Sequence, residues 1–300
     1  RFCSRVAECA ADLVVQHLAL DHRAELGGDH LQRRLARAEA GELRGACANL
    51  QALFDFVVDV GQREAVGAAQ AAEEKASRLL NHLMGSVNYA RQLQNSQLPR
   101  AERLSGRFAS FDVLWEPRDV IGGDLWWISS EKFPGAFTLA VTDSTGHGVP
   151  GAMLSLLVNN SLERIYSNQP DLAPAQALMN LDVLVRSGLN QDSGEGDSDD
   201  GCDAIILRID RQAGRLSFAG AKLDLFRVEV TGQVHRYRGS RISLGYRHQP
   251  MATDMPVTQE IPFNEGDLFL VVTDGFTDQP GGEMPSPRCL GYRRLEQWLA

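Results

Sequence analysis

The sequence predicts an α+β fold with antiparallel sheets, and three observations support this class. Residues 1 to about 70 are rich in Ala, Leu, Glu, Arg and Gln and contain no proline, which is typical of helices. After Pro99, short apolar or alternating segments are separated by turn residues, which is typical of strands. The short connections between these segments favour antiparallel pairing, and two helical stretches, residues 150–167 and 174–189, interrupt them.

The first 98 residues predict a helical regulatory region, residues 1–70, and a helical linker, residues 71–98, with breaks at Gly27-Gly28 and Gly61. We expect Pro99 to end the linker helix. Two interpretations of the linker are open, a helix that packs on its own domain or a helix that pairs with a second copy, and we predict a homodimer. Its seam positions recur at alternating steps of four and three, as in a coiled coil: Ala76, Leu80, Leu83, Val87, Ala90, Gln94 and Gln97.

Composition narrows the classes of partner and the compartment. The net charge is −9 and no Lys/Arg cluster is present, so a nucleic-acid partner is not expected. The five cysteines form no CxxC pair, which predicts reduced thiols in a cytoplasmic protein. No apolar run reaches the roughly 18 residues of a membrane span. Because the chain begins at Arg1 and not at Met, we expect it to be part of a longer protein, with a sensor or membrane anchor upstream.

Three aspartates stand beside glycine near predicted strand ends: Asp124, Asp143 and Asp274. Taken singly, each could cap a turn or a helix. Taken together, carboxylates that project into one place repel one another, and a hard divalent cation relieves that repulsion. All-oxygen ligation favours Mg²⁺ or Mn²⁺ over Zn²⁺. The pattern therefore favours a metal site.

Five segments carry a resemblance to a known family: IGGDLWW, VTDSTGHGVPGAML, GCDAIILRID, FAGAKLDLF and GDLFLVVTDGFTDQPGG. In their order and approximate spacing they resemble the stage II sporulation protein E-like branch of the PPM (protein phosphatase 2C) family, over about residues 88–299. The resemblance implies a phosphatase domain at residues 99–300, built as a sandwich of two antiparallel β-sheets flanked by α-helices. It also implies two Mn²⁺ or Mg²⁺ ions and removal of phosphate from Ser or Thr of a protein.

The same resemblance assigns roles to individual residues. Asp124 matches the carboxylate of the GGD motif, Asp143 matches the metal aspartate of D-x-x-G-H-G, and Asp274 matches the aspartate of TDG. The backbone carbonyl of Ser144 is the expected extra ligand. Asp203 occupies the position of a GMD variant, where it either binds metal or orients a ligand. The family pattern closes with an Asp-Asp pair that this chain lacks before Ala300, so we expect its C-terminal end to be incomplete.

The expected chemistry is attack by a water that two metal ions share and activate. No phosphoenzyme is needed, so neither Ser144 nor Thr145 is assigned as a nucleophile. His147 is a candidate general acid, although packing of the turn explains its position equally well. Arg118 is a candidate clamp for the phosphate, and a surface salt bridge is the alternative.

The function that follows is a metal-dependent serine/threonine phosphatase regulated by its N-terminal helices. The resemblance implies a small phosphorylated regulator as substrate, of the anti-sigma-factor-antagonist (STAS) type. An alternative from another class is a catalytically weak or inactive module of the same fold that binds a signalling partner. A third interpretation, a different two-metal hydrolase such as a phosphodiesterase, lacks support because no His-Asp or HExxH pattern occurs.

Overall fold

The structure, a computed structural model, describes residues 30–100, 104, 107–129, 136–192, 199–247, 254–281 and 288–300. The chain divides into two compact units, Arg1–His82 and Leu83–Ala300. The predicted break at Gly27-Gly28 lies outside the described residues. The predicted domain boundaries at residues 70 and 98 stay predictions. No helix of the described chain combines the length and apolar character that crossing a membrane requires.

Helix α1 (His30–Gln97) runs without interruption through Gly61, so the predicted break there is wrong. A single glycine costs a helix only about 1 kcal/mol relative to alanine, and the long run of strong helix formers around it outweighs that cost. The helix ends two residues before Pro99, as predicted. Within the second unit its buried face grows toward the C-terminus, from the half-buried Val87 and Ala90 to the buried Gln94.

Five antiparallel strands form the central sheet. They are β1 (Leu125–Ile128), β2 (Ala136–Ser144), β3 (Cys202–Asp210), β4 (Arg215–Ala221) and β7 (Gln259–Pro262). Their order across the sheet is β1-β2-β3-β4-β7. The pair β2 and β3 aligns over nine residues, from Ala136 opposite Asp210 to Ser144 opposite Cys202.

The remaining strands are β5 (Leu225–Val228), β6 (Val234–Tyr237), β8 (Leu268–Leu270), β9 (Pro280–Gly281) and β10 (Arg288–Cys289). Three of them form a second antiparallel sheet in the order β6-β5-β8, and β9 pairs with β10 in a two-stranded ribbon. The predicted α+β class with antiparallel sheets is confirmed.

A layer of helices covers one face of the central sheet, and the second sheet packs on the opposite face. The helices of this layer are α2 (Gly148–Asn168) and α3 (Pro174–Gly188), close to the predicted spans. Two further helices, the short α4 (Asp274–Thr277) and α5 (Gly291–Leu299), do not belong to this layer, and α5 packs against the second sheet. Side chains of β3 alternate between two cores. Ile206 packs among Leu162 and Leu178 of the helices, whereas Ile205 packs with Leu225 of the second sheet. The fold is therefore a sandwich of two sheets with a helical layer.

Candidate active site

Three of the predicted aspartates meet at one edge of the central sheet. Asp124 immediately precedes β1, Asp143 is the second-last residue of β2 and Asp203 is the second residue of β3. Because neighbouring strands are antiparallel, the start of β1, the end of β2 and the start of β3 share one edge. Asp143 and Asp203 stand directly opposite each other in the register.

Asp274 reaches the same place from the other side, as the first residue of α4. The preceding residue, Thr273, donates a hydrogen bond from Oγ1 to Asp124 Oδ2 at 2.9 Å. Trp115 Nε1 donates to the backbone carbonyl of Asp124 at 3.0 Å. The structure thus brings Asp124, Asp143 and Asp274 together, and two further side chains hold Asp124 in place.

Burial and mutual repulsion dominate the electrostatics of these aspartates. Burial, together with the charges of Asp124 and Asp274, raises the pKa of Asp143 to about 9. Burial also raises the pKa of Asp124, opposed by hydrogen bonds with Asp143 and Thr273 and reinforced by the charge of Asp274. Hydrogen bonds of Asp143 with both other carboxylates contribute to this raised pKa, because they favour its protonated form.

Two observations test whether these residues fit divalent cations. The donor set consists of carboxylate and carbonyl oxygens, which suits Mg²⁺ and Mn²⁺. Among the residues that the structure describes, no three His, Cys, Asp or Glu side chains already surround one point as ligands. The aspartates contact one another instead. The chemistry of the donor set, and not a preformed ligand geometry, is therefore what fits a divalent cation.

Glycines shape the turn that carries the Ser144 carbonyl. A Cβ atom on Gly123 would lie 2.6 Å from the Ser144 carbonyl oxygen, and one on Gly151 would lie 2.5 Å from the Gly146 carbonyl oxygen. Gly146 and Gly148 adopt φ values of +84° and +64°, in the left-handed region that favours glycine. The turn therefore packs backbone against backbone, closer than any other residue permits.

Thr145 is fixed at this turn by its own hydrogen bonds. Its amide and its hydroxyl donate to the carbonyl of Gly201 at 2.9 and 2.8 Å. Its hydroxyl also makes a hydrogen bond with the Tyr246 hydroxyl. Sequence reasoning did not find Tyr246, because it lies 101 positions away along the chain.

His147 and Arg118 lie on another side of the turn. The Nδ1 atom of His147 contacts Asp119 Oδ2 at 2.7 Å, and the two side chains are 58% and 46% exposed. Arg118 is exposed and lines a cleft of about 530 Å³ together with Val87, Asp119, Val120, Ile121, Gly148 and Val149. None of the site aspartates lines this cleft. Arg118 and His147 are thus neighbours of the turn, and their contact with substrate stays a prediction.

Comparison with known proteins now adds to this geometry. The family model for stage II sporulation protein E (SpoIIE) matches residues 134–299. The chain belongs to the SpoIIE family. The predicted resemblance is confirmed.

Two solved structures are similar to this SpoIIE chain, to different degrees. The SiaA-PP2C domain of Pseudomonas aeruginosa is 31% identical with a TM-score of 0.61, and the match covers 73% of this chain and 82% of that one. A structure of the PP2C phosphatase domain and a regulatory fragment of SpoIIE from Bacillus subtilis is 17% identical with a TM-score of 0.42, covering 53% and 43%. Curated proteins gave no match. The family match and the 31% identity to the SiaA-PP2C domain show that the second unit contains a PP2C-type phosphatase domain.

Gln94, on α1 of this SpoIIE-family chain, has a role that the sequence did not reveal. It was placed in the predicted coiled-coil seam, but the structure buries it inside the second unit. Its Nε2 donates to the Gly122 carbonyl at 2.6 Å and to Ser155 Oγ at 3.1 Å, and its Oε1 accepts from the Gly122 amide at 3.2 Å. One amide side chain thus satisfies both backbone groups of Gly122, two residues before Asp124.

We predict that Gln94→Met destabilises the protein by about 1–3 kcal/mol, because it leaves both backbone groups of Gly122 buried without their partner. Urea denaturation of the two proteins measures the difference. Gln92→Met, at an exposed position of the same helix, is the matched control and should change the stability by less than about 0.5 kcal/mol. Equal effects of the two substitutions would contradict the role of Gln94.

The raised pKa of Asp143 predicts a pH dependence of stability in chelator. The pKa of Asp143 is about 9 in the folded state, whereas an aspartate of the unfolded chain has its ordinary pKa of 3.8. Stability is therefore fully present below about pH 4 for this group and is lost as the pH rises toward 9. Asp143→Asn should flatten this dependence and raise the Tm at pH 8 by several degrees, because each pH unit between the two pKa values costs the folded state up to about 1.4 kcal/mol.

Thermal unfolding of both proteins between pH 5 and pH 9, in chelator, provides the measurement. Asp112→Asn, at an exposed position, serves as the control and should keep the pH dependence of the unsubstituted protein. A pH dependence that Asp143→Asn leaves unchanged would show that Asp143 does not hold the proton.

Proposed function

We propose that this chain is a metal-dependent serine/threonine protein phosphatase. The observation that carries the proposal is the convergence of Asp124, Asp143 and Asp274 at one sheet edge, where burial and repulsion raise the pKa of Asp143 to about 9. Such a shift in a cluster of acids is typical of a functional site. Membership of the SpoIIE family and the 31% identity to a PP2C domain support the same activity.

The metal ligands in this proposal are Asp124, Asp143, Asp274 and the Ser144 carbonyl, with Asp203 opposite Asp143 in the register. Two Mn²⁺ or Mg²⁺ ions, when bound, would neutralise the phosphate and lower the pKa of a water that attacks it. The chain's own residues hold the carboxylates in place. Thr273 and Trp115 orient Asp124 through the hydrogen bonds at its side chain and backbone.

The turn after β2 presents the backbone to the same place. The close packing of Gly123 on the Ser144 carbonyl fixes where that oxygen lies. The Thr145 hydroxyl is engaged by Gly201 and Tyr246, which agrees with a reaction that does not use it as a nucleophile. His147, held by Asp119, and Arg118 along the cleft are proposed to contact the substrate protein around its phosphoresidue.

The proposed substrate is a small phosphorylated regulator of the STAS type. Such a partner would approach the sheet edge where the aspartates lie, with the cleft beside α2 as part of the contact area. We also propose that the exposed seam positions of α1 pair with a second copy. Leu80 and Leu83 are 59% and 54% exposed, which is unusual for leucines in a helix unless a partner covers them.

The activity predicts that the protein hydrolyses para-nitrophenyl phosphate in the presence of Mn²⁺. Asp143→Ala should lower kcat/KM by at least about a hundredfold, because it removes a ligand that faces both other aspartates. Asp112→Ala, at an exposed position, should retain full activity. Hydrolysis that withstands both chelator and Asp143→Ala would sink the proposal.

The proposed pairing of α1 predicts a dimer at tens of micromolar in sedimentation equilibrium. Leu83→Asp should shift the protein to a monomer, because burying an unpaired carboxylate in an apolar seam is costly. Asn88→Asp, off the seam on the same helix, should leave the dimer intact. A monomer for the unsubstituted protein would refute pairing through this seam.

A further inference from the structure

Lys222 adopts a backbone conformation that lysine rarely takes. Its φ is +60°, and the other described non-glycine residue with positive φ is Asn190, a type that tolerates the left-handed region better. Such outliers are energetically unfavourable and persist where the surrounding structure enforces them, often at functional sites. The conformation of Lys222 therefore needs an explanation.

A hydrogen bond and close backbone packing fix the turn around Lys222. The Lys222 amide donates to the Ser240 carbonyl at 2.8 Å. A Cβ atom on Gly220 would lie 2.1 Å from the Leu223 carbonyl oxygen, so the chain doubles back tightly there. Ala221 and Leu223 on either side are buried, while Lys222 itself is exposed. The fold thus fixes the backbone and leaves the side chain in solvent.

Lys222 extends the row of acidic residues at the sheet edge. It directly follows β4, whose end lies at the same edge as the start of β3. The ladder of β3 and β4 ends with Ile205 opposite Gly220, and beyond it Lys222 forms an isolated parallel bridge with Ala204, the residue next to Asp203. Asp203 in turn stands opposite Asp143. The order across the edge is therefore Asp143, Asp203, Lys222.

The positive charge of Lys222 affects the pKa of Asp203. Burial raises the pKa of Asp203, and a hydrogen bond with Ser243 and the positive charge of Lys222 both lower it. The charges that act on Asp143 come from Asp124 and Asp274 and are negative. Within the described ranges, the Lys222 ammonium makes no hydrogen bond and no ion pair closer than 4.0 Å. Its donors remain available to a ligand.

We propose that Lys222 binds the phosphate group of the substrate at the Asp203 side of the site. This inference rests on the proposed phosphatase function. A phosphoserine carries a charge of about −1.5 to −2 at neutral pH, and the acidic edge repels it. Adjacent strands are about 4.8 Å apart, so β4 lies about 10 Å from β2. The flexible four-carbon stem of lysine suits a point contact with phosphate over part of this span.

The test compares Lys222→Asn with Lys222→Arg. Asparagine removes the charge but tolerates the left-handed backbone, so the fold is spared, and arginine keeps the charge. Binding of inorganic phosphate to the Mn²⁺-loaded protein is measured by calorimetry, and hydrolysis of para-nitrophenyl phosphate by steady-state kinetics. Lys75→Asn, on the exposed surface of α1, is the matched control.

We expect Lys222→Asn to weaken phosphate binding about tenfold and to raise KM by a similar factor, with a smaller change in kcat. Lys222→Arg should stay within about threefold of the unsubstituted protein, and Lys75→Asn should not change either value. The Tm of Lys222→Asn should equal or exceed that of the unsubstituted protein, because asparagine relieves the backbone cost.

The outcomes separate the two proposals. Unchanged phosphate binding and KM in Lys222→Asn, with hydrolysis still dependent on Asp143, would overturn the role of Lys222 and leave the phosphatase proposal intact. Phosphate binding that depends on Lys222 without any hydrolysis would overturn the phosphatase activity and keep the anion contact. A protein that binds no phosphate at all would overturn the contact as well.

Discussion

Repulsion among carboxylates crowded at one sheet edge is the constraint on which this site depends. Antiparallel pairing forces Asp124, Asp143 and Asp203 to one edge, and α4 adds Asp274. Water cannot screen these charges fully, so the folded chain keeps a proton on Asp143, whose pKa reaches about 9. A cation that replaces this proton must compete with it, so cation affinity should rise with pH. Burial destabilises the ionised carboxylates when no metal is bound, and the same burial strengthens their attraction to a bound divalent ion.

The turn after β2 meets a second requirement, because a backbone carbonyl can serve a cation only if it is held still. Gly123 and Gly151 let the chain approach the Ser144 and Gly146 carbonyls at distances that a side chain would forbid. Thr145, tied to Gly201 and Tyr246, fixes the turn from the opposite side. Glycine loses more conformational entropy on folding than other residues do, and these contacts offset that loss. The site is thus rigid where ligands attach.

The sequence predicted much of this arrangement because the informative signals are local. Alternation and turn residues indicated the strands, and aspartates beside glycine indicated the sheet edge. The errors concern long-range contacts. Heptad spacing predicts an apolar stripe but not what covers it, so it could not show that Gln94 pairs with Gly122, 28 residues away. The pairing of His147 with Asp119 is hidden for the same reason. The continuity of α1 through Gly61 reflects the cooperativity of a 68-residue helix, which one weak position does not interrupt.

The position of Lys222 allows one site to bind both divalent cations and an anionic phosphate. The chain carries a net charge of −9, and its site is lined by aspartates, which suits cations and disfavours an anionic phosphate. An ammonium beside Asp143 would neutralise the carboxylates and weaken cation binding. At the end of β4, with β3 between it and β2, Lys222 acts on the pKa of Asp203 but is not among the charges that act on Asp124 and Asp143. A positive charge at that distance can attract phosphate to the edge while the central carboxylates keep their affinity for divalent ions. The left-handed corner at residue 222 is the structural cost of placing it there.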